Sequence, residues 1–272
     1  MSERRPETHL FRVLLRHYRQ RRGMSQLDLS LVAEVSARHI SFLETGRAAP
    51  SRDMILRLAA TLGLGLRDTN ALLQAAGMPR AYAESTLDQP WPESIERVIA
   101  HMLKQQEPYP MVVLNGRYDV VRTNQAAVAV LSRYVHEPSA LTTPQNLLHA
   151  VFDPRLFRPY IENWEQLARV SIGQLQRDAL ARPSDSHVAE LVRELFRYPN
   201  VPESFRQPDL EVPVAAMEFS LSRNGERVSF LTTVTQFNVA LDAGIEDLRI
   251  ESYFPADTAT ESVCRQIADA SV

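Results

Sequence analysis

The residues best suited to bind another molecule lie between positions 25 and 46, in the run SQLDLSLVAEVSARHISFLETG. Ser36 can cap the start of a helix within this run. Ala37, Arg38 and Phe42 would then project from one face of that helix, opposite an apolar face. The Arg38 guanidinium can bond guanine O6 and N7 together, whereas Ala37 and Phe42 can contact only apolar features such as a thymine methyl. A helix that enters the major groove of DNA must cap its own start and expose polar residues near it, and this helix meets both requirements.

Five short helices are needed to position these side chains. The spacing of apolar residues predicts them at about 10–22, 25–33, 36–45, 52–62 and 66–76. Ser25, with Asp28 three residues later, indicates a short capping box. Gly23 and Gly46 stand where left-handed residues end helices. Short connections between the helices predict a compact all-α domain over residues 8–79.

The segment resembles the helix-turn-helix of the Xre/Cro/repressor family, and the resemblance extends across all five helices. It is carried by Leu29, Val35, Ser36, Ile40, Leu43, Glu44 and Gly46. It implies base-facing positions for Ala37, Arg38 and Phe42, and an ion pair between Arg19 and Glu44. It places near phosphates Ser25, Gln26, Ser36, His39, Thr45 and Arg47. The residues alone leave open that Arg38 and His39 are simply solvated and that Phe42 packs on a neighbour.

One position departs from the family pattern in the turn between the two helices. Where the family usually has glycine, this sequence has Glu34. The turn therefore predicts a positive φ at Glu34, which costs a residue with a Cβ about 1 kcal/mol.

Charge is unevenly distributed along the chain. Residues 1–80 hold 13 arginines and 7 acidic residues, a balance of +6. Because the net charge of the whole chain is −3, the remaining residues carry a charge of −9. This asymmetry predicts a basic module joined to an acidic one, although chance clustering of solvated charges would look the same. The start lacks a signal-like apolar stretch and no window reaches the ~20 apolar residues of a membrane helix. We therefore expect a cytoplasmic protein with no membrane partner.

The rest of the chain predicts a second domain of a different class. Residues 80–108 are predicted to be a linker with a connecting helix near 93–106. A mixed α+β domain is expected over 109–256, and a polar tail over 257–272. Five strands are predicted at about 111–114, 118–122, 216–223, 228–237 and 248–254, around a helical block whose longest helix spans about 160–181. Asn115-Gly116 and Asn224-Gly225 are hairpin signals.

The strand order, with two strands before the helical block and three after it, is that of a PAS-like sheet. The segment also looks like the ligand-binding domain of MmyB-like regulators. The resemblance is carried by VVLNGRYDVVRTNQAA (112–127), FDPRLFRPYIENWEQ (152–166) and LRIESYFPADTAT (248–260). It implies a transcription regulator whose PAS-like domain, with a five-stranded antiparallel sheet, holds a small, lipid-like molecule.

A long apolar ligand needs a cavity of about 300–1,000 Å³ lined by apolar side chains. The candidates are Leu131, Leu148, Phe152, Phe157, Trp164, Leu167, Leu195, Phe196 and Phe230, although each of them could equally fill a core. A head group such as a carboxylate could be held by a polar and aromatic cluster with a further cation nearby. These anchor candidates are Arg158, Tyr160, Asn163, Trp164 and Arg177.

These patterns favour a transcription regulator that binds a double-stranded DNA operator as a homodimer and senses a fatty-acid-type ligand, with no other cofactor and no metal. An alternative is that the second domain is a protein-interaction or dimerisation module without a ligand. An enzyme is the weakest alternative. The sequence has no P-loop and no G-x-G-x-x-G motif, and its histidines lack metal-ligand spacing. Its one cysteine, Cys264, falls in the expected tail without a neighbouring base.

Overall fold

The computed structural model describes residues 7–84, 91–141, 145–181, 186–207, 217–237 and 242–270. These residues form two units. Unit one comprises 7–84 together with 181 and 242–246, and unit two comprises 91–180, 186–207, 217–237 and 247–270.

Unit one begins with the five predicted helices. They are α1 (Glu7–Arg21), α2 (Gln26–Val32), α3 (Ala37–Thr45), α4 (Arg52–Thr61) and α5 (Leu66–Ala75). The starts of α2, α3 and α4 are fixed by Ser25, Ser36 and Ser51, whose hydroxyl groups each accept the amide three residues later. Gly23 and Gly46 adopt positive φ angles of 65° and 74° after α1 and α3. The predicted all-α region is thus confirmed.

The remaining elements follow in chain order: α6 (Glu93–Gln106), β1 (Met111–Leu114), β2 (Val120–Thr123), α7 (Gln125–Leu131), α8 (Leu147–Phe152), α9 (Trp164–Ala181), α10 (Ser186–Leu195), β3 (Met217–Arg223), β4 (Glu226–Gln236), α11 (Ala243–Glu246), β5 (Arg249–Pro255) and α12 (Thr258–Asp269). The strands form one antiparallel sheet in the order β2-β1-β5-β4-β3. This confirms the predicted α+β domain with a five-stranded sheet.

The two faces of the sheet are covered differently. On one face, Val112 and Leu114 of β1, Phe230 of β4 and Tyr253 of β5 belong to the main core. The rest of this core consists of residues from α7, α8, α9, α10 and α12. On the opposite face, buried residues of β1 and β5 lie where α6 packs on β1. The helical block therefore covers the face of the sheet that carries the main core of unit two.

The two hairpins differ from each other. Asn224 and Gly225 both have positive φ angles, 53° and 86°, as expected of a tight two-residue turn between β3 and β4. The first hairpin is wider than predicted, because β2 begins at Val120 and Tyr118 takes a φ of 66° with its side chain buried.

The expected polar tail is instead the helix α12, which packs on α7 and β4. Asp257 caps its start, and Cys264 and Ile267 lie in the main core of unit two. The tail prediction was wrong because the apolar positions of α12 are few and recur at helical spacing, so overall polarity hid them. Burial raises the pKa of the Cys264 thiol to about 11.

Unit one also contains the short helix α11. Asp242 caps it through the amides of Gly244 and Ile245, and the Ala243 amide donates to the Ala83 carbonyl at 2.8 Å. Because α11 packs on α5, a segment that lies between β4 and β5 in the sequence is part of unit one.

Candidate nucleic-acid interface and ligand site

A buried ion pair fixes α3 against α1. Arg19 Nε lies 2.6 Å from Glu44 Oε1, and Arg19 Nη2 lies 2.9 Å from Glu44 Oε2, so the pair is bidentate. Burial alone would raise the Glu44 pKa, but hydrogen bonds from Arg19 and Gln26 outweigh it and hold that pKa below its ordinary value. Arg19 also donates to the Met24 carbonyl at 2.8 Å. The predicted ion pair is confirmed, and it connects the first helix to both halves of the helix-turn-helix.

The start of α2 is held by the same network. Gln26 Nε2 donates to Glu44 Oε2 at 2.8 Å, so the Gln26 amide is oriented from α3. Ser25 Oγ accepts a hydrogen bond from the Asp28 amide at 3.0 Å, and the Ser25 amide donates to Asp28 Oδ2 at 2.8 Å, which completes the predicted capping box. Two predicted phosphate neighbours therefore stand in fixed positions at a helix start, where backbone amides favour an anion.

The turn between α2 and α3 contains the strained residue that the sequence predicts. Glu34 has a φ of 53° and an exposed side chain. The following residue, Val35, donates its amide to the Ser30 carbonyl at 2.9 Å, which closes the turn. The left-handed angle at Glu34 is thus imposed by the turn geometry and not by any contact of its carboxylate.

Two arginines, Arg38 on the outer face of α3 and Arg47 just beyond its end, lie around one aromatic ring. Ile40 and Leu43 are buried in the core of unit one, which leaves the side of Arg38 and Phe42 outward. The Cζ atoms of Arg38 and Arg47 lie over the Phe42 ring, 5.1 and 5.9 Å from its centroid. Such cation–π contacts contribute about 0.5–1 kcal/mol each at exposed sites. Both arginines remain exposed, so the ring holds two cations at the surface of unit one.

The other predicted residues of this surface are placed as follows. Ser36 Oγ accepts the His39 amide at 3.1 Å, and the Thr45 hydroxyl donates to the Ser41 carbonyl at 2.7 Å. Ala37 is half-buried in the first turn of α3. Their contact with DNA stays a prediction. The sequence reasoning missed the contact of Phe42 with two arginines, although the i,i+4 spacing of Arg38 and Phe42 on a helix was a usable signal.

The predicted apolar lining lies in the core of unit two. Phe152, Phe157, Leu167 and Phe230 are buried there, and Phe196 packs against the same cluster. Leu148 and Leu195 are also buried in it, whereas Leu131 packs against its edge. The rings of Phe152 and Trp164 meet edge to face at 5.7 Å. The structure thus brings the lining candidates together, and their role toward a ligand stays a prediction.

The predicted head-group anchors bond to the protein itself. Arg158 lies over the Trp164 ring at 3.7 Å, and Trp164 Nε1 donates to the Val151 carbonyl at 3.0 Å. Asn163 Nδ2 donates to the Glu218 carbonyl on β3 at 2.7 Å. The remaining two bond to polar side chains, Tyr160 to His136 Nδ1 at 3.1 Å and Arg177 to Gln174 Oε1 at 3.0 Å. Their part in ligand binding also stays a prediction.

The sequence reasoning missed a polar cluster on β5. Arg249 forms a 2.7 Å ion pair with Asp178 of α9, lies over the Tyr118 ring at 4.5 Å and contacts the Tyr118 hydroxyl. Tyr253 donates its hydroxyl to Glu251 Oε2 at 2.9 Å. Alternate side chains of a strand share a face. The polar residues at 249, 251 and 253 of a predicted strand could therefore have indicated this cluster.

A family model for the MmyB-like transcription regulator ligand binding domain matches residues 95–267, which is more than half of the chain. The chain belongs to the MmyB-like transcription regulators. A helix-turn-helix model matches residues 15–68 of this regulator, within unit one. Together the two matches make the chain a DNA-binding transcription regulator with a ligand-binding domain.

The other comparisons add little to the family assignment of this MmyB-like regulator. No curated protein matches its sequence. One solved structure that matches is described as the structure of an RNA-binding light-oxygen-voltage receptor, at 13% identity and a TM-score of 0.27. The alignment covers 95% of this chain and 57% of that one. Within the described residues, no helix is long and apolar enough to cross a membrane.

Proposed function

We propose that this regulator reads a specific operator in duplex DNA with α3 as the recognition helix in the major groove. The observation that supports this most is that exposed Arg38 on α3 and exposed Arg47 just beyond its end both lie over the Phe42 ring. The Arg19–Glu44 ion pair holds this helix in place. Arg38 reads a guanine, whereas Arg47, beyond the end of α3, neutralises a phosphate. A DNA partner also favours the cytoplasm as the place of action.

The experiment is a selection of bound duplexes from a random pool by the full chain, followed by titration of the enriched duplex at several salt concentrations. The logarithm of the binding constant should fall with the logarithm of the salt concentration, by about 0.9 for each neutralised phosphate. An enriched sequence motif with a steep salt dependence supports the proposal. A pool without enrichment, or a flat salt dependence, contradicts it.

The regulator acts as a homodimer in this proposal, since helix-turn-helix proteins commonly bind two half-sites about 34 Å apart or a multiple of that distance. The enriched duplex should then contain an inverted repeat with that spacing. Sedimentation of the protein–DNA complex should give two chains per duplex. A single half-site with one chain bound would overturn the dimer.

We also propose that unit two binds a long-chain, lipid-like molecule of the fatty-acid type. The support for this is the family's ligand-binding domain together with the aromatic and aliphatic interior around Phe152, Trp164 and Phe230. Native mass spectrometry of the purified chain, before and after denaturing extraction, tests the proposal. A released lipid supports it. A bare chain mass that long-chain lipids do not shift favours the alternative, a protein-interaction module without a ligand.

A continuous stretch of the chain connects the proposed ligand-binding domain to the DNA-binding domain. Residues 242–246 belong to unit one and lead directly into β5, the strand whose residues 249, 251 and 253 share the interior face of the sheet. A ligand can change DNA affinity only if it favours one conformational state over another. We therefore assign the transmission to α11, whose position on α5 would follow any displacement of β5.

A further inference from the structure

The helix α6 covers only part of one face of the sheet in unit two. Val112 of β1 belongs to the main core, so its neighbour Met111 projects from the opposite face, where α6 packs on β1. The sheet register places Ser252 of β5 opposite Met111, and Thr233 of β4 opposite Ser252, so these three residues share what we call the α6 face. Met111 and Ser252 are buried, whereas Thr233 is exposed. The cover provided by α6 therefore ends before β4.

The orientation of α6 is fixed by its contact with the edge of the sheet. Glu96 forms a 3.3 Å ion pair with Arg122 of β2, so this flank of the helix faces the β2 edge. Ile99 marks the buried side of α6. Val98 and Met102, one turn apart, lie on the flank opposite Glu96, which is turned toward β5 and β4. Val98 is 45% exposed there, so an apolar edge of α6 borders the uncovered strands.

Two more apolar side chains are exposed on the uncovered part of the α6 face. Leu231 of β4 and Phe254 of β5 lie directly opposite each other in the register, and they are 42% and 43% exposed. Apolar groups that share one strip of surface in this way are typical of a contact with another macromolecule.

The far side of this strip is acidic. Arg227 of β4 lies 2.7 Å from a carboxylate oxygen of Glu162, 3.8 Å from one of Glu218 and 3.7 Å from one of Asp257. Three carboxylates around one guanidinium leave a surplus of two negative charges. Glu218 is directly opposite Leu231 in the register, so this acidic cluster borders the exposed apolar pair.

The exposed side of α6 is basic. Arg97, His101 and Lys104 follow one another at spacings of four and three residues, so they lie on one side of the helix, and all three are exposed. With His101 neutral, this side carries two positive charges. The strip of surface over β4 thus has a basic helix on one side, an acidic cluster on the other and apolar groups between them, which makes it complementary to a second copy of itself.

We propose that the α6 face is the dimer interface, with α6 of each chain lying over β4 and β3 of the other. The inference rests on the proposed homodimer and names its contact surface. A two-fold axis makes the same contact twice, so each basic side of α6 meets the acidic cluster of the partner subunit. Val98, Leu231 and Phe254 then lose contact with water at the centre while the charges form the rim, which is the usual anatomy of a protein interface.

Sedimentation of the full chain without DNA, over a series of concentrations, measures the dimer dissociation constant. The wild-type chain should be a dimer at micromolar concentration. Leu231→Glu places a charge in the apolar centre beside Glu218 and should weaken the dimer at least about tenfold. Val128→Glu is the matched control, because Val128 is an exposed aliphatic residue of α7, outside the α6 face, and its change should leave the dissociation constant unaltered.

Charge reversal tests the pairing between the two sides. One variant combines Arg97→Glu with Lys104→Glu, and the other combines Glu162→Lys with Glu218→Lys. Each variant alone would bring like charges together at both contacts, so each should sediment as a monomer. An equal mixture of the two should form a heterodimer, because both contacts of a two-fold pair then join opposite charges.

The outcomes separate this interface from the homodimer on which it rests. A chain that is monomeric both alone and on an operator duplex contradicts the homodimer itself. A wild-type chain that is monomeric alone but binds the duplex as two chains overturns this interface and leaves the homodimer standing. A dimer that Leu231→Glu does not weaken, or reversed variants that stay monomeric when mixed, also overturn the interface.

Discussion

The carboxylate of Glu246 accepts a hydrogen bond from the backbone amide of Leu66 at 2.7 Å. Leu66 is the first residue of α5, and the residue before it, Gly65, has no side chain with which to cap the helix. A negative group at this position also interacts favourably with the helix dipole. A residue from far along the sequence therefore supplies the cap that the local sequence of α5 lacks.

Gly65→Ala should remove this cap. A Cβ at Gly65 would lie 2.9 Å from Glu246 Oε2, so the carboxylate must move away. Loss of a helix cap costs about 1 kcal/mol, and we expect faster hydrogen exchange in the first turn of α5. Gly65→Ser is the matched control, since it displaces Glu246 equally but brings its own capping hydroxyl. Equally fast hydrogen exchange in both variants would show that a serine hydroxyl at position 65 cannot replace the Glu246 cap.

Glu246→Ala should uncouple the ligand from DNA binding. If α11 transmits the displacement of β5, removing its bond to Leu66 should leave operator affinity and lipid affinity near their wild-type values. The ratio of operator affinities with and without lipid should approach one. Fluorescence anisotropy with a labelled operator measures this ratio. A ratio equal to that of the wild-type chain would rule out the α11 route.

The Arg19–Glu44 pair makes the stability of unit one depend on pH. The pKa of Glu44 is lowered in the folded state, so its contribution is complete above its ordinary pKa of 4.5 and is lost as the pH falls through the lower folded value. Glu44→Gln should remove this acid-sensitive component. At neutral pH it should destabilise unit one by about 3 kcal/mol, because the buried Arg19 charge loses its partner.

Urea unfolding followed by circular dichroism at several pH values measures the effect of Glu44→Gln. The chain has two tryptophans, Trp91 and Trp164, and both belong to unit two. Tryptophan fluorescence therefore serves as an internal control that should not respond. A circular dichroism transition whose pH dependence is the same in both proteins would contradict the assigned role of the pair.

Glu34→Gly should stabilise unit one. A residue with a Cβ pays about 1 kcal/mol for the positive φ of 53° observed at Glu34, and glycine does not. Glu34→Ala keeps the Cβ but removes the charge, so it separates backbone strain from electrostatics. We expect a higher unfolding midpoint for the glycine variant alone. An equal rise of the unfolding midpoint in both variants would show that the removed charge, and not the backbone strain, causes the effect.

Unit one was the easier part to predict from the sequence. Its helix starts and ends depend on local chemistry, such as the Ser25–Asp28 capping box and the left-handed Gly46, which the sequence displays directly. The position of Arg38 on α3 follows from the same helical period. The cap on α5 could not be predicted, because Glu246 is 180 residues away from Leu66.

Unit two was harder because its decisive features are not local. The helix α12 looks polar in sequence, and only its packing shows that Cys264 is a core residue. The polar row on β5 contradicts the expected burial pattern, and the reason for it becomes visible only when Asp178 and Tyr118 are seen beside Arg249. Sequence analysis also could not show that two of the predicted ligand anchors, Asn163 and Trp164, hydrogen-bond to backbone carbonyl groups of the protein, and their part in ligand binding stays a prediction.

The most direct test of the account compares Arg38→Ala with Arg57→Ala on the selected operator and on its single-base variants. Arg57 is an exposed arginine of α4 outside the predicted interface, so both changes remove one positive charge. Arg38→Ala should cost about 1–3 kcal/mol on the operator and relax the preference at one base pair, whereas Arg57→Ala should retain full specificity. Unchanged base preference in Arg38→Ala, with equal losses of affinity in both variants, would contradict recognition of DNA by α3.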